Sequence, residues 1–268
     1  FEHIVNIQHE GFRGYEHRAA MKYLAKQGID KPSMPVLSPE FSNPLFLKTC
    51  CKAIKSKKIT SFPKGLEGQT AIFKFYLNSI DEIIRLKKGY FIGQRVTVRV
   101  MSAIVEKIYP NNMFGVDINE AYEIIKNIDP KPNVGEELID LLISEGLLAL
   151  DIITDKNGEL SEIVRFTYER FSDYFIAENI VKSLNTEDLE SEFNKNGKLE
   201  GLLNKYYMYS GITEALGIAF PEKFNREFID FISEESPHYN SIFNASFSNV
   251  LLLRNKDSIT GRTIQLLN

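Results

Sequence analysis

The side chains of this chain that could do chemistry are few and scattered. Its four histidines, His3, His9, His17 and His238, share no spacing, and its two cysteines, Cys50 and Cys51, are neighbours. A zinc site needs several convergent N or S ligands, usually delivered as spaced pairs, so no metal site is expected. Adjacent cysteines rarely bridge, because the short ring strains the peptide between them. Two cysteines in 268 residues form no disulfide framework, and a reducing cytosol is the expected setting. A phosphate-binding loop requires Gly-x-x-x-x-Gly-Lys-Ser/Thr, and none of the 16 glycines stands in that frame. There is no Gly-x-Ser-x-Gly elbow and no His-Glu-x-x-His pair of zinc ligands. The paired acids Glu136-Glu137 and Glu234-Glu235 fall in helical sequence, where charged side chains ordinarily form a solvated face. The expectation is therefore no catalytic residue, no metal ligand and no enzymatic activity in this chain.

Three other features invite a binding role. The basic run Lys48, Lys52, Lys55, Lys57 and Lys58 lacks interleaved aromatics and sits in a chain of net charge −4, so a solvated helix end explains it better than a nucleic-acid patch. Asn43-Pro44 has the form of a helix start, Asn as N-cap and Pro at the first helical position. In the phrase Phe166-x-Tyr168-x-x-Phe171-x-Asp173, Tyr168 can pack as a ring and still offer a hydroxyl. Arg170 there is within i,i+3 reach of Asp173, and that pairing is the ordinary outcome.

The elements that must position these residues are mostly helices. Hydrophobic residues make up 43% and charged residues 25% of the chain, a balance that excludes a disordered chain. With 19 Phe, 12 Tyr and no Trp, the core is aromatic. No apolar stretch approaches the roughly 20 residues that cross a bilayer, and nothing has the form of a signal peptide. Ile4, Val5 and Ile7 predict a strand over Phe1–Gln8, and a lone strand needs neighbours. Together with the absence of an initiator Met, this points to a piece of a longer protein. Helices are expected over Gly14–Gln27, Pro44–Ser56 and Gln69–Lys87, the last with Ile72, Phe75, Tyr76, Ser79, Ile80 and Ile83 buried and Gly89 as its stop. Three further helices, about Arg95–Tyr109, Asp117–Asn127 and Gly135–Glu145, precede two strands, Leu147–Thr154 and Leu160–Tyr168, joined at Asp155-Lys156-Asn157-Gly158. Three helices and a β-hairpin are the winged-helix plan. A helix over Glu169–Leu184 opens directly from the second strand. The remainder reads as short helices separated by Gly211, Pro221, Pro237 and Gly261, an irregular helical array. The fold class is thus mainly α.

A winged helix often reads DNA, but the helix that would enter the groove, Gly135–Glu145, carries Glu136, Glu137, Asp140 and Glu145 and no base. Four acids repel phosphates, so DNA is not an expected partner. A winged-helix DNA-binding regulator and a helical interaction scaffold stay open as alternatives.

Four phrases of the chain carry a resemblance. They are Gln8-His9-Glu10-Gly11-Phe12-Arg13-Gly14, Ser38-Pro39-Glu40-Phe41-Ser42-Asn43-Pro44-Leu45-Phe46-Leu47, Phe62-Pro63-Lys64-Gly65, and Val164-Arg165-Phe166-Thr167-Tyr168-Glu169-Arg170-Phe171-Ser172-Asp173-Tyr174. In order and spacing the chain resembles the bacterial STAND ATPases with NACHT-type modules, particularly the anti-phage sensor group. The resemblance implies three segments: residues 1–90 as the end of the NTPase sheet and a helical lid domain, 91–185 as the winged helix, and 186–268 as the start of a C-terminal sensor array. It implies a cytoplasmic regulatory segment without cofactor of its own, in a parent protein that binds ATP or ADP with Mg. The implied partners are the NTPase core upstream in the same polypeptide, a foreign or phage protein held by the array, and further copies of the parent on oligomerisation, with no membrane. It implies nucleotide contacts from Pro44, whose ring would lie against the adenine, from Tyr168, standing where the family often has His, and from Arg170. A Tyr at that position donates a hydrogen bond but cannot become cationic.

Overall fold

The structure is a computed structural model that describes residues 12, 14–30, 44–61, 68–109, 111, 114–131, 133–154 and 158–268. The strand expected over Phe1–Gln8, the proline-punctuated stretch around residues 31–39 and the Asp155-Lys156-Asn157 turn lie outside the described residues. Contacts divide the chain into two units, Phe1–Leu66 and Glu67–Asn268. The division falls ahead of the third helix, whereas the resemblance implies boundaries at residues 90 and 185. Among the described residues helix accounts for 65% and strand for 7%, so the fold is mainly α.

The first unit holds α1 (Glu16–Lys26) and α2 (Pro44–Ser56). Gly28, at φ +69, stops α1 as expected, and the Ile29 amide turns back to donate to the Leu24 carbonyl at 2.9 Å. Ala20, Leu24, Leu47, Cys50, Cys51 and Ile54 form its buried apolar surface. The lysines of the basic run are exposed, and Lys55 Nζ donates to Gln27 Oε1 at 2.6 Å.

In the second unit α3 (Gln69–Lys88) starts at Gly68. A β-carbon there would stand 2.6 Å from the Asn255 amide nitrogen, and the residue holds φ +85, so both space and backbone demand glycine. Beyond the expected stripe, Phe73, Leu77 and Ile84 are also buried, while Ile83 is only half-buried. α3 therefore packs on more than one side, which an amphipathic reading of one stripe underestimates.

The winged-helix plan follows as α4 (Val96–Ile108), β1 (Val116–Asp117), α5 (Ile118–Ile128), α6 (Val134–Ser144), β2 (Leu148–Thr154) and β3 (Leu160–Phe166). The sheet order is β1-β3-β2, antiparallel throughout. β1 was not foreseen, since two residues carry no readable period; Val116 pairs with Val164 and Asp117 with Ile163. Asp117 also caps α5, its Oδ1 accepting from the Asn119 amide at 2.8 Å. The reciprocal half of a capping box is missing, because Glu120 turns instead to Lys107 at 2.7 Å. Gly146, at φ +80, ends α6, and the Leu147 amide donates to the Leu142 carbonyl at 2.9 Å.

α7 (Glu169–Ser183) leaves β3 after two residues and packs along α9 (Ser210–Phe224). Phe171 sits at the centre of an aromatic cluster, edge-on to Phe73 at 5.1 Å, Tyr76 at 5.2 Å and Phe175 at 4.9 Å. Such pairs add about 0.5–1.5 kcal/mol each beyond burial. Pro221, expected to separate two helices, lies inside α9. In the last turn it sacrifices one backbone bond, and Asn225 closes the helix in the left-handed region at φ +55. α8 (Glu200–Asn204), α10 (Tyr239–Phe243), α11 (Gly261–Leu267), a π-turn at Asn244–Ser248 and several 3-10 turns complete the irregular array. Gly217 lets α9 touch the π-turn, where a β-carbon would come within 2.1 Å of the Ser246 carbonyl oxygen. Beneath them the Arg254–Glu227 ion pair is fully buried, with Arg254 Nη1 donating to Glu227 Oε2 at 2.8 Å and Nη2 to the Ser246 carbonyl at 2.9 Å.

Candidate functional site

Pro44 is the first residue of α2 in the first unit and is exposed. Tyr168 and Arg170 belong to the second unit, at the entry to α7. The half-buried Tyr168 ring meets Phe73 edge-on at 6.4 Å. Arg170 Nη2 lies 3.6 Å from Glu214 Oε2 on α9. The expected Arg170–Asp173 pairing is therefore replaced by one to Glu214, a partner on another helix that a local spacing rule cannot see.

The exposed face of α6 carries Glu136, Glu137 and Asp140. The C-terminal end of α3 reaches this helix: Lys88 pairs with Glu137, and Lys87 Nζ lies 2.9 Å from the buried Glu145 carboxylate. Tyr76 on α3 adds a hydrogen bond to the Gly146 carbonyl at 3.3 Å. The helix that would enter a DNA groove is thus acidic outside and already ion-paired within its own chain.

A cleft of about 480 Å³ opens where the end of α4, the end of β3, the first turns of α7 and the start of α9 meet. Ile108, Tyr109, Thr167, Glu169, Asp173 and Tyr209 are among its walls. Helical spacing places Glu169 and Asp173 one turn apart on α7, on the same side. Gly211 makes room for Asp173, since a β-carbon at 211 would stand 2.2 Å from Asp173 Oδ2. Burial first, then the neighbouring Glu169 and Glu214 carboxylates, push the Asp173 carboxyl up to about 7, against an opposing pull from Arg170. Burial and the Tyr209 phenol likewise raise the Tyr109 hydroxyl. The two rings meet edge-on, 5.6 Å apart.

Arg165 also borders the cleft but is committed elsewhere. It pairs with Asp151 across the β2–β3 hairpin, donates from Nη1 to the Phe166 carbonyl at 3.1 Å and lies 5.3 Å from the centre of the Phe114 ring. Thr167 Oγ1 is buried and has no hydrogen-bond partner among the described residues. A buried hydroxyl without a partner costs free energy, on the order of 1–3 kcal/mol.

None of this cleft was anticipated as a site. Asp173 belongs to the phrase Val164–Tyr174, and Gly211 has the form of a helix separator. The one available signal was an acid four residues after Glu169 on a helix opening from a strand. Among the described residues no group of three His, Cys, Asp or Glu side chains is placed to hold a metal ion, and no helix is long and apolar enough to cross a membrane. Compared with known proteins, the chain matches no family model, no curated protein and no solved structure.

Proposed function

We propose that this chain is a regulatory segment of a signal-sensing STAND-type ATPase, acting in the cytoplasm in anti-phage defence, in which an internal winged helix governs a nucleotide-dependent change of state. The observation that carries the reading is the engagement of α6. A winged helix whose leading helix is acidic and ion-paired to Lys87 and Lys88 of α3 is suited to transmit motion inside a protein and ill-suited to approach DNA. The phrase Val164–Tyr174, which spans β3 and α7, supplies the specific resemblance to that family. In this reading the helical array binds a foreign protein, and that ligand shifts the population by binding the open state better than the closed one.

In this reading Tyr168 and Arg170, like Pro44, stand toward the nucleotide of the parent protein. Within this chain the Tyr168 ring meets Phe73 and Arg170 lies beside Glu214, so in the parent protein a phosphate would compete with Glu214 for the guanidinium. The rigid, exposed Pro44 fits an apolar contact to a purine, and the phosphate and Mg chemistry would come from the NTPase core.

The test is nucleotide binding and turnover in the full-length protein beside this chain alone. The full-length protein should bind and hydrolyse ATP, and this chain should do neither. Hydrolysis by the isolated chain, or a full-length protein without a phosphate-binding loop, overturns the reading. A gel shift at low salt checks the alternative: salt-sensitive DNA binding would favour a transcriptional regulator.

A further inference from the structure

β2 is the outer strand of the β1-β3-β2 sheet, and among the described residues no strand lies along its other edge. The Leu147 carbonyl accepts from the Thr167 amide at 3.0 Å, so in this register Ala149, Asp151 and Ile153 turn their backbone groups to β3. Leu150, Ile152 and Thr154 turn theirs outward, and among the described residues those groups have no backbone partner. Natural sheet edges are guarded by lysine, by proline or by a bulge. β2 holds neither residue, and its seven pairs with β3 run without a bulge. Its single charge, Asp151, is paired with Arg165.

Period-two alternation puts Leu150 and Ile152 on the same face as Leu160 and Glu162 of β3. At one end this face is core, with Leu148, Val164 and Phe166 buried. At the wing it is open, with Leu150, Ile152 and Leu160 exposed by 43, 64 and 76%. The surroundings are acidic. Glu162 stands opposite Ile152. Burial, then the Glu136, Asp140 and Glu162 carboxylates, raise the Tyr122 hydroxyl, so acids of α6 and β3 gather around one point beside the sheet. From Leu147 to Val164 the described residues carry Asp151, Glu159 and Glu162 and no base.

We propose that the outer edge of β2 takes up an extended segment of a partner protein as an added strand, aliphatic at alternate positions and basic between them. The outward backbone groups of Leu150, Ile152 and Thr154 supply the ladder, and the alternate side chains supply the selection. The aliphatic residues cover Leu150 and Ile152, which water now wets. The basic residues answer the negative field of Glu136, Asp140 and Glu162. A second copy of this chain is the poorer occupant, because it brings the same acids, and a nucleic acid would be repelled by them. The edge is the same in an ATPase, a regulator or a scaffold, so strand addition here is independent of the nucleotide chemistry proposed above.

Fluorescence anisotropy of the labelled peptide Lys-Val-Lys-Ile-Lys-Val-Lys, titrated with the whole chain, tests this. Binding should saturate and should weaken with added salt. The peptide Glu-Val-Glu-Ile-Glu-Val-Glu should bind at least about tenfold more weakly. Ile152→Pro removes an outward amide without touching the ladder to β3 and should weaken binding about tenfold. Ile152→Lys keeps the backbone and guards the edge, and should show a similar loss at an unchanged urea midpoint. Amide hydrogen exchange reads the geometry directly. With the basic peptide bound, protection should rise at least about tenfold at Leu150, Ile152 and Thr154, while Ala149, Asp151 and Ile153, already in the ladder, stay unchanged. Absence of saturable binding, binding without that alternation, or equal affinity for the acidic peptide overturns the proposal. So does self-association of the chain that Ile152→Pro abolishes, since a second copy would then fill the edge.

Discussion

The carboxylate of Asp173 lies against the bare α-carbon of Gly211, so closely that a β-carbon at 211 would stand 2.2 Å from its Oδ2. The contact joins the first turns of α7 to the start of α9. It explains how an acid reaches a site where burial and two neighbouring carboxylates hold it protonated until about pH 7.

Gly211→Ala should therefore destabilise the chain by about 1–3 kcal/mol, the usual range for overpacking. The clash is with a side-chain end, so shortening that side chain should relieve it. The double variant Gly211→Ala, Asp173→Ser should recover much of the loss, and urea unfolding of the four members of the cycle reads the coupling. Strict additivity would show that the two residues do not touch.

The pH dependence of stability has a fixed sign. The folded Asp173 titrates at about 7, above the unfolded value of about 4. Between those two values the folded state binds more protons, so stability falls as pH rises through that window and levels off above it. Asp173→Asn should flatten the decline and stabilise the chain at pH 8, by on the order of 4 kcal/mol. Urea midpoints at pH 5 and pH 8 measure it. An equal slope in both proteins would rule out Asp173 as the source.

Arg254 and Glu227 test the opposite case, a buried ion pair bonded through Nη1 and Nη2 of the guanidinium. Arg254→Met leaves Glu227 charged and buried, and should cost about 3–5 kcal/mol. Replacing both, Arg254→Met with Glu227→Gln, should cost clearly less, because no lone charge is left inside. Thermal unfolding of single and double variants decides it; a double variant as unstable as the sum of the two singles would mean that the pair carries no coupling.

The thiols should be inert. Cys50 and Cys51 are buried, and burial pushes the Cys51 thiol up to about 11 against the pull of Lys55. The thiolate is the reactive form, so alkylation at pH 8 should be slow in the native chain and fast in urea. Rapid native labelling would show that α2 opens readily.

Local punctuation was the most legible part of the fold. Pro44 and Ser56 bound α2 as read, Gly89 and Gly146 stop their helices in the left-handed region, and β2 and β3 pair as a hairpin. Each depends on the conformational preferences of a few consecutive residues. Pro221 misled, because the cost of proline depends on where in a helix it falls, and that is set by the packing of α9. β1 was invisible, because two residues become a strand only when β3 lies beside them.

The candidate site shows the same division more sharply. The sequence alone determined that α7 begins straight after a strand, that Glu169 and Asp173 share one side of it, and that α6 is acidic. It could not determine that Arg170 turns to Glu214, that Lys87 and Lys88 reach α6, or that Gly211 and Glu214 of α9 come to lie beside Asp173. Those relations join residues distant in the chain. Their energies arise from burial and from charges brought together by packing, and a carboxylate's environment exists only once the helices around it have closed.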